Sequence, residues 1–219
     1  MMSTESELRQ MLTKGLTPYV PEQVIPVLVH WMMTYKIHLT LTPQRSSKLG
    51  DYRHPFGNKG HRISVNKNLN PYSFLITFVH EVAHLKCWLQ HRNAVPAHGS
   101  EWKQLFADLL RPFIEQAVFP TDVNEALRTY IVSPGASSCS DEQLLRALHR
   151  YDTVKLPRLE DLLEETLFRT INGRLFKKGG IIRKRIRCIE VETRRVFLFH
   201  PLAEVVPDEH YSEWCRKHK

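Results

Sequence analysis

The sequence predicts an α+β protein: helices with a small mixed sheet first, then a helical segment, then a small antiparallel β-sheet. Three observations carry that prediction. Apolar residues recur at three- and four-residue steps over much of the first 170 residues, which is helical periodicity. Polar and apolar residues alternate across Lys36 to Thr42, giving a strand with one buried face. From Gly173 onward, short runs mixing apolar and basic residues are separated by turn residues, the pattern of an antiparallel sheet.

Taken in order, residues 5–14 and 21–36 read as helices, the second burying Val24, Val27, Leu28 and Trp31, with Pro26 near its first turn, where proline is tolerated. A strand follows at 36–42, closed by Pro43, and then a hairpin with strands at 48–53 and 61–66 around a glycine-containing turn. Asn70-Pro71 is a helix start, an N-cap side chain followed by proline where a missing N–H costs nothing. Phe74, Phe78, Val82, Leu85 and Leu89 give that helix a core face, and no Gly or Pro interrupts it before Pro96. Further helices are expected at 102–111, 122–131, 141–151 and 159–170, and strands at 173–178, 181–191, 195–199 and 202–206. The small-residue stretch 133–140 marks the clearest composition break. The expected organisation is therefore 1–132, a loop and helical connector at 133–170, a basic β domain at 171–208, and a polar tail at 209–219.

Composition bounds the class. The 219 residues are 42% hydrophobic and 25% charged, ordinary for a soluble globular protein. No run of eighteen apolar residues exists, so no membrane span is expected, and the N-terminus lacks a basic region followed by an apolar one. The four cysteines show no C-x-x-C spacing and fit free thiols in a reducing compartment; a cytoplasmic location is expected. A net charge of +8 favours polyanionic partners.

Within the long helix stands His80-Glu81-Val82-Ala83-His84. Two histidines four apart share one helical face, so both imidazoles can converge on one zinc ion. The Glu beside the first can serve as general base toward a metal-activated water. An open catalytic site needs a third protein ligand. His91 shares the face but lies about 10 Å further along the axis than His84. The extended pattern, with glycine three and histidine six residues after His84, is absent: Cys87 and Gln90 stand there. His98 follows the break at 93–97 and is followed by Gly99 and by Ser100, an N-cap for the helix beginning at Glu101-Trp102, so it can return toward the metal on a second element. Glu101 is the alternative, a carboxylate ligand at that helix start.

These motifs, His80-Glu81-Val82-Ala83-His84 and then His98-Gly99-Ser100-Glu101-Trp102-Lys103, resemble the SprT-like zinc metallopeptidase domain, the family that includes Spartan. Leu49-Gly50-Asp51-Tyr52-Arg53 and Ile63-Ser64-Val65-Asn66 are similar to that family's hairpin, and the resemblance covers roughly residues 20 to 115. It implies a zincin-like fold, one zinc ion held by His80, His84 and His98, Glu81 as catalytic base, and protein or peptide as substrate. It also implies that the edge strand of the sheet lines the cleft. The zinc ribbon with paired C-x-x-C motifs carried by many bacterial members is missing, so a second zinc is not expected.

Between positions 174 and 195, nine basic residues face two acidic ones, Glu190 and Glu192. Strand alternation puts Arg183, Arg185 and Arg187 on one face, and with Lys177 and Lys178 they form a candidate nucleic-acid-binding patch. The equally simple reading is a solvated face that keeps an edge strand soluble. Two functions follow from these features: a zinc endopeptidase, for which the family resemblance implies DNA-associated protein as substrate, or a nucleic-acid-binding protein whose zincin domain holds zinc with little chemistry. Tyr52, His54, His61 and Arg62 on the hairpin are candidates for stabilising an oxyanion.

Overall fold

A computed structural model describes residues 4–45, 48–132, 134–135 and 141–217. The fold is α+β, with seven α-helices and two sheets among the described residues, and it divides into two compact units at Thr153/Val154.

In the first unit, α1 (Glu5–Leu16) starts on Thr4, whose side chain accepts from the Glu7 amide while the Glu7 carboxylate accepts from the Thr4 amide. A 3-10 turn at Glu22–Val24 leads into α2 (Ile25–Thr34), and Pro26 lies in the first turn of that helix. Strands β1 (His38–Thr42), β2 (Gly50–Arg53) and β3 (Arg62–Asn66) form a sheet in the order β1-β3-β2. β1 runs parallel to β3, whereas β2 closes an antiparallel hairpin onto β3 and is left at the sheet edge. Helices α3 (Pro71–His91), α4 (Ser100–Glu115), α5 (Thr121–Tyr130) and α6 (Glu142–His149) complete the unit. α4 continues through Pro112, which sits in its last turns and forfeits only one backbone bond there.

The core is built on α3: Phe74, Leu75, Ile76, Phe78, Val79, Val82, Ala83 and Leu85 are sealed against residues of α1, α2, β3, α4 and α5. Leu144, Ala147 and Leu148 join the same core, which is why the unit extends through α6 to Thr153, past the composition break. Most of that break, Ser133 and residues 136–140, lies outside the described residues.

The second unit is a five-stranded antiparallel sheet in the order β7-β6-β5-β4-β8, with β4 (Leu167–Arg169), β5 (Leu175–Ile182), β6 (Arg185–Glu190), β7 (Val196–Phe199) and β8 (Val206–Pro207). Phe168, Phe176, Ile186, Cys188 and Val205 make its core, with Phe197 and Phe199 packed against them. Two expectations are corrected here. The stretch expected as a helix over 159–170 is a 3-10 turn at Leu159–Asp161 followed by β4. The chain reverses at Glu165, whose φ is +68°, and the second core takes Phe168 through strand pairing, which overrides the local helical periodicity. The expected polar tail is instead helix α7 (Asp208–Lys217), tied down by an ion pair from Asp208 to Arg169 at 2.6 Å.

No described helix is long and apolar enough to cross a membrane. Cys87 and Cys188 are buried free thiols.

Candidate metal centre

α3 is anchored before it presents its polar residues. Asn70 Oδ1 accepts from the Tyr72 and Ser73 amides at 3.1 and 2.9 Å. Asn70 Nδ2 donates to the Leu148 carbonyl and to Asp152, which in turn bonds His149. The cap that begins the helix is thereby fixed to the end of α6, and the middle turns of α3 inherit a defined position.

Those middle turns carry His80 and His84, one turn apart. Arg92 ends the helix with φ of +54°, and the chain turns back through residues 93–99 to α4. The return delivers His98. His80 Nε2 lies 3.1 Å from His84 Nε2 and 3.3 Å from His98 Nε2, and the three donor atoms all fall within 4.8 Å of one another. Two nitrogens bound at about 2.0–2.1 Å to a tetrahedral ion stand roughly 3.3–3.4 Å apart, so the trio has the spacing of ligands to a single ion. Glu101 is excluded from the cluster: its carboxylate accepts from Ser100 Oγ at 3.1 Å. The helix cap is Gly99 rather than Ser100, which forms the first residue of α4.

Burial sets the charge state. It pushes the His80 imidazole down to about 2, helped by the neighbouring His84 and His98, and His84 down to about 4; His98 is lowered by burial as well. Neutral imidazoles present lone pairs, the form a metal requires. Beneath them lies Trp102, fully buried, with its ring centre 4.5, 5.2 and 4.7 Å from those of His80, His84 and His98 and its other face stacked on Phe106. The indole is a rigid floor that fixes the ring orientations of all three.

Glu81 is aimed elsewhere. It is 4% exposed and is held against β2, where it accepts from the Tyr52 backbone N–H. Gly50 makes that approach possible: a Cβ there would stand 2.5 Å from Glu81 Oε1 and 2.7 Å from Thr77 Cγ2. Burial, reinforced by Asp51, raises the Glu81 carboxyl to about 8, while Lys48 and Arg45 oppose the rise. The site therefore pairs a neutral nitrogen trio with a proton-affine carboxyl one residue away, outside the ligand set.

The hairpin candidates separate in space. Tyr52 Oη lies 2.9 Å from His61 Nδ1, and the two rings stack. His54 lies flat on Trp88, with ring centres 5.4 Å apart, and its Nδ1 meets the Pro55 carbonyl. Arg62 donates to the His54 carbonyl. Trp102, Gly50 and the Tyr52 amide were not singled out as site residues from sequence, although a glycine inside a strand is itself a sign of close backbone approach.

The basic residues of the second unit do not form one row. Lys178 is 6% exposed, and its ammonium donates to the Glu160 and Leu162 carbonyls. Lys177 pairs with Glu165. Arg183 occupies the β5–β6 turn with φ of +56°, so only Arg185 and Arg187 share a strand face. Arg183, Lys184, Arg185 and Arg187 have no acidic partner among the described residues, and Ile181 and Ile182 beside them are exposed.

No protein-family profile matches the chain, and neither a curated protein nor a solved structure does.

Proposed function

We propose that the protein is a zinc-dependent metallopeptidase of the SprT-like kind, with a zincin-like first unit. The observation that carries this reading is a division of labour: His80 and His84 of α3 converge on one point with His98 of the returning loop, while Glu81 is excluded from that trio and held by β2. A purely structural metal site has no use for such a carboxyl. When bound, zinc supplies Lewis acidity, which polarises a peptide carbonyl and makes a water nucleophilic near neutral pH. His80, His84 and His98 hold the ion. Glu81 takes a proton from the attacking water and delivers it to the departing amine, a role suited to a group poised near neutrality. The open edge of β2 accepts an extended chain through main-chain hydrogen bonds, so the substrate class is an unfolded or exposed segment of protein.

The test is metal analysis of the purified protein together with cleavage of casein by wild type and by Glu81→Gln. One equivalent of zinc in both, with cleavage only by wild type, is expected. Cleavage by Glu81→Gln, or a protein that holds no zinc, removes the reading.

A second reading is favoured by the β5–β6 hairpin, whose turn presents Arg183 and Lys184 beside Arg185 with no acidic partner among the described residues. Such a ribbon suits the phosphates of DNA. In that reading the protein is chiefly a nucleic-acid binder whose metal site does little chemistry; combined with the first, the substrate is protein associated with DNA. Mobility-shift binding at two salt concentrations, with and without Glu81→Gln, separates binding from hydrolysis.

A further inference from the structure

The geometry points to Tyr52 as a further catalytic residue, its phenol donating a hydrogen bond to the oxyanion that forms when water adds to the scissile carbonyl; this rests on the peptidase reading above. Strand β2 lies along one strip of α3. At its start Gly50 touches Thr77 and Glu81, the Tyr52 amide donates to Glu81, and just past its end the His54 ring lies flat on Trp88. Thr77, Glu81, His84 and Trp88 fall on that strip at helical spacing. Gly50 and Tyr52 share a side of the strand, so the Tyr52 ring falls between the two fixed contacts, abreast of the turn that carries His84. Of the other hairpin candidates, His54 rests on Trp88 and Pro55, and Arg62 donates from Nη2 to the His54 carbonyl while its Nε is buried without a partner.

The phenol is also oriented from behind. Its Oη meets His61 Nδ1 at 2.9 Å, and His61 is wedged edge-on against Trp88. In the tautomer with the proton on Nδ1, His61 donates to Oη and leaves the phenol hydrogen free to point into the cleft. Burial raises Tyr52 well above the usual phenol range, so the group keeps the proton it would donate while its oxygen accepts from His61. In the addition step the water oxygen bonds to the carbonyl carbon, the π pair moves to the carbonyl oxygen, and the water proton goes to Glu81. Tyr52 donates to the new oxyanion without transferring its proton. The carbon–nitrogen bond then breaks as Glu81 returns the proton to the amine, and the carbonyl re-forms as the acid.

The experiment compares zinc-loaded wild type, Glu81→Gln and Tyr52→Phe, the last keeping the ring and removing only the hydroxyl. Casein cleavage is read as separate kcat and KM, alongside zinc content and thermal midpoint. Affinities for a peptidyl phosphonamidate and for a peptidyl hydroxamate are measured by calorimetry. Loss of one oxyanion donor lowers kcat by about 100- to 1000-fold, with KM, zinc content and midpoint near wild type. Phosphonamidate affinity falls with kcat, because its tetrahedral oxygens need the donor, whereas hydroxamate affinity holds. Wild-type kcat and phosphonamidate affinity in Tyr52→Phe overturn this inference alone. Absence of Glu81-dependent cleavage by wild type overturns the peptidase reading and this inference with it.

Discussion

Gly50 faces Glu81 so closely that a single added methyl group would stand 2.5 Å from the carboxylate oxygen. The same methyl would meet Thr77 at 2.7 Å, so neither neighbour offers it room. Gly50→Ala therefore forces β2 away from α3. Overpacking of this kind costs about 1–3 kcal/mol, measurable by denaturant unfolding. On the proposed function the variant is expected to retain zinc, because the atoms nearest that methyl belong to Glu81 and Thr77 rather than to the histidines, and to lose hydrolysis, because Glu81 is displaced.

His98 as the proposed third ligand is tested by affinity. His98→Ala removes one of three nitrogens and is expected to weaken zinc binding by more than about 100-fold, beyond the 10- to 100-fold typical of losing an outer-shell partner. Competition with a chromophoric chelator reads this directly. Glu101→Ala, whose carboxylate bonds Ser100 instead, is expected to leave the affinity unchanged.

The metal-free protein is expected to be most stable near pH 6.5. His80 and His84 are held far below the ordinary histidine value of 6.5, at about 2 and about 4, so between pH 4.5 and 6.5 the unfolded chain binds two protons there that the folded chain does not. Glu81, raised to about 8, binds one in the folded chain over the same range. The unfolded state thus holds at least one more proton net, since burial lowers His61 and His98 as well, and stability rises with pH by at least about 1.4 kcal/mol per unit. Above 6.5 only Glu81 differs, the folded state holds the extra proton, and stability falls until about pH 8. Thermal midpoints recorded across pH 4.5–8 in chelator check the maximum; a monotonic rise contradicts it.

Asn70 is a cap and a tether together. Asn70→Ala removes two accepted and two donated hydrogen bonds and is expected to cost about 1–3 kcal/mol. Asn70→Ser keeps the cap acceptor and is expected to recover part of that loss in the same unfolding assay.

In the second unit, Lys178 and Arg185 have opposite expectations. Lys178→Met leaves two carbonyls without that donor and lowers stability, and on the nucleic-acid reading it leaves duplex binding intact. The double change Arg183→Ala with Arg185→Ala spares the fold and reduces the salt dependence of duplex binding by about 0.9 per lost phosphate contact. Anisotropy titrations at two salt concentrations distinguish the two.

Much of the site was legible because its chemistry is local. The His80–His84 spacing, the Asn70-Pro71 start and the His98-Gly99 return are short-range signals, and each appears in the structure where the spacing put it. What was hidden depends on elements far apart in the chain. No periodicity announces that Gly50 must pass over Glu81, or that Trp102 will floor three imidazoles. Residues 159–170 misled because Leu159, Leu162 and Leu163 repeat at helical steps, whereas Phe168 is claimed by a strand pairing with β5 and β8. Lys178 misled in the other direction: alternation assigns a face, not the acceptors that draw a lysine inward.

The arrangement of β2 has a kinetic consequence. The three histidines come from α3 and the short loop that leads from it to α4, whereas the partner of Glu81 belongs to an edge strand whose sheet also needs the parallel pairing of β1 with β3. Long-range strand pairing is slower than local helix docking. During refolding, the nitrogen trio is therefore expected to assemble before Glu81 is in register with β2, so on the proposed function metal capture precedes activity. The short edge strand is equally the part of the site that opens at least cost, and amide exchange at Tyr52 is expected to outpace exchange at the middle of α3.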